Sequence, residues 1–186
     1  MEFTLVYQGV LKSNGNAKQK QEIRRAFHPQ LKALWQYPPL DSMQEMLQEN
    51  PSKRSSTVIK KIGSFPYATL INNTFKNIAE LEITFLRPSP PGSLIIQGGD
   101  IDNRLKTLFD ALRMPQVPTE TPSGDVPSET EKPFHCLLED DALITKVAVQ
   151  TDRLLGSAVS QNHVHLVIHV RTKGLVTTWN NIFMSC

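Results

Sequence analysis

The sequence predicts an α+β protein, a small mixed β-sheet with helices packed on it. Three observations predict it. Strand-like segments recur, with clean alternation at Leu81, Ile83 and Phe85 and again over Val164–Val170. One segment, Asp100–Arg113, carries a strong helical stripe. Strands lie before and after that helix, an order that suits a mixed sheet rather than a regular βαβ series. The 186 residues suit a single domain, 1–186, with insertions around 38–63 and 114–133.

Along the chain, Phe3–Leu11 is apolar and β-rich and reads as the first strand. Lys12–Lys20 is polar, holds a glycine and reads as an exposed loop. Ile23, Phe27, Leu31, Leu34 and Trp35 follow at helical spacing. Pro29 interrupts them, which predicts a kink or two short helices. Pro38–Pro39 closes that region, and Asp41 reads as the N-cap of a short helix through Leu47, with Glu45 near the capping-box position. Pro51–Thr57 is a polar loop.

Phe65–Ile71 is a second strand and the segment around Leu81–Phe85 a third. Leu94–Ile96 is a short apolar strand, and Gly98–Gly99 turns the chain into Asp100–Arg113, where Leu105, Leu108, Phe109 and Leu112 form the apolar face. Met114–Pro133 has five prolines and four acids, which predicts a flexible loop without packing of its own. Ile144–Val149 and Val164–Val170 complete the strands.

Composition excludes several classes. Apolar residues make up 39% and charged residues 20% of the chain, so it is neither disordered nor membrane-like. No apolar run approaches the roughly 18–20 residues that span a bilayer, and the start carries no secretory signal pattern. Cys136 and Cys186, the two cysteines, give no disulfide framework and no zinc finger and fit a reducing cytoplasm. Net charge is only +2, but Lys12–Lys61 holds ten Lys/Arg against four Asp/Glu, and Met114–Asp141 seven Asp/Glu against one Lys. A basic front and an acidic middle suit a polyanion partner and a carboxylate cluster, or two solvated surfaces of opposite sign.

Two words carry chemistry: Gly98–Arg113, GGDIDNRLKTLFDALR, and Leu138–Ile144, LEDDALI. Asp100 and Asp102 stand two apart at a glycine turn. Lys106 and Asp110 follow Asp102 at i+4 and i+8, along one helical face. Glu139, Asp140 and Asp141 crowd together before a strand. Carboxylates gathered this way repel unless a cation neutralises them, and all-oxygen donors suit Mg²⁺ or Mn²⁺. Taken singly, each residue has a plain alternative: Asp100 or Asp102 as a helix cap, Lys106–Asp110 as a surface pair.

D-x-D-N-x-x-K, a helix ending F-D-A-L, and a later D-D before a strand resemble the RusA-type Holliday-junction resolvases. The resemblance covers Gly99–Leu112 and Leu138–Val149, and more loosely the first strand with Ser13–Asn14 and the basic loop. It implies a small α+β homodimer that cuts branched double-stranded DNA with Mg²⁺. Carried over residue by residue, Asp100 and Asp102 match the paired metal aspartates and Lys106 the essential lysine. Asp141 matches the second-motif catalytic aspartate, with Asp140 its acidic neighbour, and Asn103 matches the Asn after the second Asp. The sequence departs from the family pattern in its extra length and in the Gln-Gly-Gly that replaces a basic run before Asp100.

Lys12, Asn14, Lys18, Lys20, Arg24 and Arg25, with Lys53, Arg54, Lys60 and Lys61, are candidate phosphate contacts, and Arg104 is the best single one. Trp35, Tyr37, Phe65 and Tyr67 are either base-stacking aromatics or core. His163, His165 and His169 share a strand face that is more simply a polar surface than a metal site. Cys136 beside His135 lacks the third partner a nucleophile needs. The alternatives to an endonuclease are a RusA-like nucleic-acid binder without activity, a metal-dependent phosphohydrolase acting on nucleotides, and a structural interaction protein.

Overall fold

The structure, a computed structural model, describes residues 1–51, 56–88, 101–155 and 160–177. Leu94–Ile96, Gly98–Gly99, Asp100, Lys53, Arg54 and Cys186 lie outside the described residues. In chain order the elements are β1 (Glu2–Val10), α1 (Ala17–Leu34), a 3₁₀ helix (Leu40–Leu47), β2 (Ile59–Ile62), β3 (Phe65–Ile71) and β4 (Asn77–Arg87). After these come α2 (Ile101–Leu112), β5 (Phe134–Leu138), β6 (Ile144–Arg153) and β7 (His163–Gly174), with 3₁₀ turns at Pro118–Glu120, Glu129–Glu131 and Asp141–Leu143.

The expected α+β class is present, with two mixed sheets rather than one. The larger runs β1-β7-β4-β6 and the smaller β2-β3-β5. β7 is antiparallel to both β1 and β4, while β4 pairs in parallel with β6. β3 pairs in parallel with β5 and antiparallel with β2.

Alternation decides which face of the large sheet is covered. Leu5 and Tyr7 of β1, Leu81, Ile83 and Phe85 of β4 and Val164, Leu166, Ile168 and Val170 of β7 are all buried. Ile23, Phe27 and Leu31 of α1, Trp35 at its C-cap, and Leu108 and Leu112 of α2 belong to the same core. β3 and β5 are buried along their whole length, as strands covered on both faces are. Around them Phe65, Tyr67, Met114, Phe134 and Cys136 form a second cluster. Phe65 stacks on Tyr67 at 5.6 Å, and Phe134 meets both edge-on at 5.7 and 5.5 Å.

Several local expectations need correction. α1 begins at Ala17, so the exposed loop is shorter than Lys12–Lys20. The Asn16 side chain accepts from the Gln19 amide at 3.0 Å while Gln19 Oε1 accepts from the Asn16 amide at 3.2 Å, a reciprocal cap that starts the helix early. Pro29 does not break α1. It sits exposed within one continuous helix, because Phe27, His28 and Leu31 around it are anchored in the interior. Asp41 is not the N-cap of the next element. Pro39 holds that place without a side-chain cap, and the segment is 3₁₀ rather than α.

Met114–Pro133 is packed, against the expectation of an unpacked loop. Arg25 binds Asp125 and Glu131, both at 2.8 Å, and Arg113 binds Glu120 at 2.8 Å. His28 Nε2 and Lys32 Nζ both reach the Thr130 carbonyl, at 3.2 and 2.6 Å. Three of the acids that make the segment look solvated in sequence, Glu120, Asp125 and Glu131, bind it to α1 and to Arg113 just past α2. Among the described residues no helix is long and apolar enough to cross a membrane.

Candidate functional site

α2 positions the first motif. Its buried side holds Thr107, Leu108, Ala111 and Leu112, and Leu105 and Phe109 pack half-buried against the core. Asp102 and Lys106 are left exposed, one turn apart on the same strip. Asp102 Oδ1 accepts from the Asn103 amide at 2.8 Å, in the first turn, where a carboxylate meets the positive end of the helix dipole.

The second motif follows β5. Met114 donates its amide to the Leu138 carbonyl at 2.9 Å and Glu139 donates to Ile71 at 2.8 Å, so the strand delivers the acids to the end of α2. Asp140 Oδ1 accepts from the Ala142 amide at 2.9 Å and caps the Asp141–Leu143 turn. Asp141 is exposed. This turn packs on α2, and the Asp141 charge reaches Arg113 at the far end of that helix. Both motifs therefore border the same helix, Asp102 at its start and the Asp141 turn within electrostatic reach of its end. Asp102 stands about 16 Å from Arg113 along the axis, from 1.5 Å per residue. Among the described residues no group of three or more His, Cys, Asp or Glu has metal-holding spacing; Asp100 is not among them.

Glu139 is a different kind of group from its acidic neighbours. It is buried, and its carboxylate accepts from Lys60 Nζ, from the Asn73 amide at 2.9 Å and from Asn73 Nδ2 at 3.3 Å. Gln116 donates to its carbonyl at 2.7 Å. Burial pushes the Glu139 carboxyl up, but Lys60 and Asn73 together outweigh burial and hold it below the usual carboxylate range. Every polar atom of Glu139 is thus used to fix the backbone just ahead of Asp140 and Asp141.

Asp110, the third member of the helical strip, is not part of an open acid face. It binds Lys20 at 2.6 Å and Arg113 at 3.3 Å. Lys20 is therefore engaged within the protein. Arg24 is almost wholly buried and donates to the carbonyls of Asp110 at 2.7 Å and Arg113 at 3.1 Å. It caps the C-terminal end of α2 from the neighbouring helix, where a cation meets the negative end of the dipole. Arg25 is tied to the Met114–Pro133 segment and Lys60 to Glu139. The expected phosphate-binding roles of Lys20, Arg24, Arg25 and Lys60 thus give way to internal bonds, because each has an acid or carbonyl brought to it by the fold.

Lys12, Lys18, Lys61 and Lys106 are exposed and form no ion pair among the described residues. Asn14 is exposed with φ of 53°. Arg104 is buried, donates to Asn162 Oδ1 at 3.0 Å, and has its proton affinity lowered by burial and then by the nearby Arg87. Arg87 is buried as well, a placement the sequence reading missed. It has no local motif and stands alone before Pro88.

The remaining candidates resolve plainly. Trp35, Phe65 and Tyr67 are core, and Tyr37 is exposed. His163, His165 and His169 alternate with buried valine, leucine and isoleucine on the open face of β7, with His169 3.3 Å from Glu2. Cys136 is buried, and burial pushes its thiol up to about 12, so it is inert as a nucleophile. No model of a known protein family matches the chain, and no curated protein sequence matches it.

Proposed function

We propose that this protein is a Mg²⁺-dependent endonuclease that cuts branched double-stranded DNA, acting as a homodimer in the cytoplasm. The observation that carries the proposal is the packing of α2 on the Asp141–Leu143 turn, which sets the second acidic motif against the helix that carries the first. The motif likeness to the RusA-type resolvases supports the same reading.

The donor chemistry fits a hard divalent cation. Asp102 and Asp140 each use one oxygen in a local turn, and Asp141 uses neither among the described residues, so oxygens, the donors that such a cation prefers, remain for an ion. Asp102 with Asp100 of the same motif, and Asp141 with Asp140, would hold one or two such ions. Bound there, Mg²⁺ or Mn²⁺ supplies polarisation of the scissile phosphate and a water acidic enough to attack.

The chain's own groups do the rest. The Lys106 ammonium, one turn from Asp102, neutralises charge that builds on the phosphoryl oxygens or orients the attacking water. The amide end of α2 adds a favourable field for an anionic substrate. Lys12 and Lys18 hold backbone phosphates without reading sequence. Cutting two symmetric strands calls for two copies of such a site.

The test is a four-way DNA junction incubated with the full chain in Mg²⁺, in Mn²⁺ and in EDTA, beside linear duplex and free nucleoside triphosphates. Metal-dependent nicking of the junction supports the proposal. Hydrolysis of the nucleotides alone replaces it with a phosphohydrolase, and metal-independent junction binding without cutting replaces it with a DNA-binding scaffold.

A further inference from the structure

The two outer strands of the large sheet end it in different ways. At the β1 edge a side chain takes the place of a further strand. Val6 donates its amide to Gln30 Oε1 at 2.9 Å, and Gln30 Nε2 donates to the Val6 carbonyl at 2.8 Å. At the opposite edge β6 pairs with β4, and no other strand among the described residues joins it. Of its ten residues only Ile144, Val149 and Thr151 are even half-buried, and Val147 is 42% exposed.

The direction of the β6 main-chain groups follows from one bond. Leu154 donates its amide to the Arg87 carbonyl at 2.7 Å. By the alternation of a strand, even-numbered residues of β6 therefore bond β4 and odd-numbered ones turn outward. The Arg153 amide agrees, since it donates to Asp152 Oδ1 at 2.7 Å. Val147, Val149 and Thr151 thus present amides and carbonyls to the free edge. Proteins blunt such edges with proline, bulges or inward charges. The register with β4 is irregular only at the start of β6, and from Val147 to Thr151 there is no proline and no charge.

The stretch Lys146-Val147-Ala148-Val149-Gln150-Thr151-Asp152 is complementary to itself when turned about Val149. Antiparallel pairing of two copies in that register sets Val149 opposite Val149, Val147 opposite Thr151, and Lys146 opposite Asp152, the last two pairs twice by symmetry. The pairs made by Val147, Val149 and Thr151 each exchange two main-chain bonds. Their side chains continue the rows of buried Leu81, Ile83 and Phe85, their register partners on β4. Opposite charges lie face to face on the other side of the sheet, where such pairs stabilise. Within one copy Lys146 has only Glu82 at 3.5 Å, both about half-exposed, a weak surface pair. Moving the axis to Val147 or Thr151 leaves Asp152 opposite Ala142 or Gln150 and loses both charge pairs.

We propose that β6 is the edge through which two copies of this chain pair, antiparallel about Val149, joining two four-stranded sheets into one. The pairing rests on β6 alone; its use, to place two sites for two symmetric cuts, rests on the endonuclease reading.

A strand pair of this length is a small interface, so the dimer should form in the micromolar range. Sedimentation equilibrium of the full chain from about 1 to 200 µM reads it. Lys146→Asp and Asp152→Lys each set like charges opposite one another twice, and each alone should weaken the dimer at least about tenfold. Mixed in equal amounts, the two variants regain both attractions in a heterodimer, and near wild-type affinity should return. Val147→Pro removes an outward amide and leaves the bonds to β4 in place. It should be monomeric and melt within a few degrees of wild type; if it does not fold, the mixing experiment carries the test. A wild type that stays monomeric across the range, a dimer that survives both charge reversals, or reversals that do not recover on mixing overturns the interface. Metal-dependent junction cutting by a chain that does not pair through β6 keeps the endonuclease reading and removes this interface. Pairing through β6 without cutting does the reverse.

Discussion

Gly15 donates its amide to the Thr107 hydroxyl at 2.9 Å, and a methyl group at Gly15 would stand 2.6 Å from Thr107 Cγ2. This contact fastens the loop that carries Lys12 and Asn14 to α2 one residue beyond Lys106. Further bonds continue the line: Leu11 donates to the Asn162 carbonyl at 2.9 Å, Arg104 binds the Asn162 side chain, and Lys20 binds Asp110. The loop and the first turns of α1 therefore run alongside α2, with the exposed lysines beside the acidic strip.

Gly15→Ala should cost about 1–3 kcal/mol of stability, the usual cost of overpacking. Thr107 is β-branched and on a helix, so its methyl group has little room to turn away. Thr107→Ser keeps the hydroxyl and removes the methyl. On that background Gly15→Ala should cost clearly less. Urea unfolding of the four proteins in this cycle checks the coupling; additive effects would mean that the contact is loose.

Glu139→Gln should destabilise the protein by about 1–3 kcal/mol through the weakened acceptor for the Asn73 amide, in a carboxylate that is itself buried. Lys60 is half-exposed and can return to water, which keeps the loss at that level. The wild-type carboxyl is depressed in the fold, so its contribution is present above the ordinary carboxylate range near pH 4.5 and is lost as pH falls through the lower folded value. Glu131, also held below its usual range although burial opposes this, acts in the same direction. Melting temperatures from pH 6 to pH 3 should fall less steeply for Glu139→Gln than for wild type.

How far the sequence reveals this depends on whether the signal is local. The stripe of α2 and the alternation of β4 and β7 are visible because burial on one face imprints a period. The start of α1 is hidden, since its first turn is Ala-Lys-Gln-Lys and the cap that makes it is Asn16 with Gln19. β2 goes unmarked because Ile59-Lys60-Lys61-Ile62 carries one lysine pair and little apolar pattern. The ties from Arg25 to Asp125 and Glu131 span about a hundred residues, and no local pattern reports them. The site divides the same way. Asp102, Lys106, Asp140 and Asp141 announce themselves by motif, whereas the internal roles of Lys20, Arg24 and Glu139 and the placement of Arg87 come only from the fold.

His28 joins three elements and should make stability depend on pH. Its Nδ1 accepts the His135 amide at 2.9 Å and its Nε2 faces the Thr130 carbonyl, a pattern that only the neutral ring with its proton on Nε2 satisfies. Burial lowers the His28 pKa, and burial with the neighbouring His28 brings His135 to about 3. The folded state thus binds fewer protons than the unfolded chain below about pH 6.5. Stability is complete above that value and falls with acid by up to about 1.4 kcal/mol per pH unit for each ring. Denaturant midpoints from pH 8 to pH 5 should drop for wild type and more gently for His28→Gln, even though that variant starts lower.

The most direct test of the catalytic proposal pairs Asp102→Asn with Asp141→Asn on one four-way junction, with binding measured in EDTA and cutting in Mg²⁺. Both variants should fold and bind the junction within a few-fold of wild type while cutting falls at least a thousandfold, equivalent to about 4 kcal/mol of lost transition-state stabilisation. Wild-type cutting rates in either variant would contradict the account, because the ion would then be held by other residues.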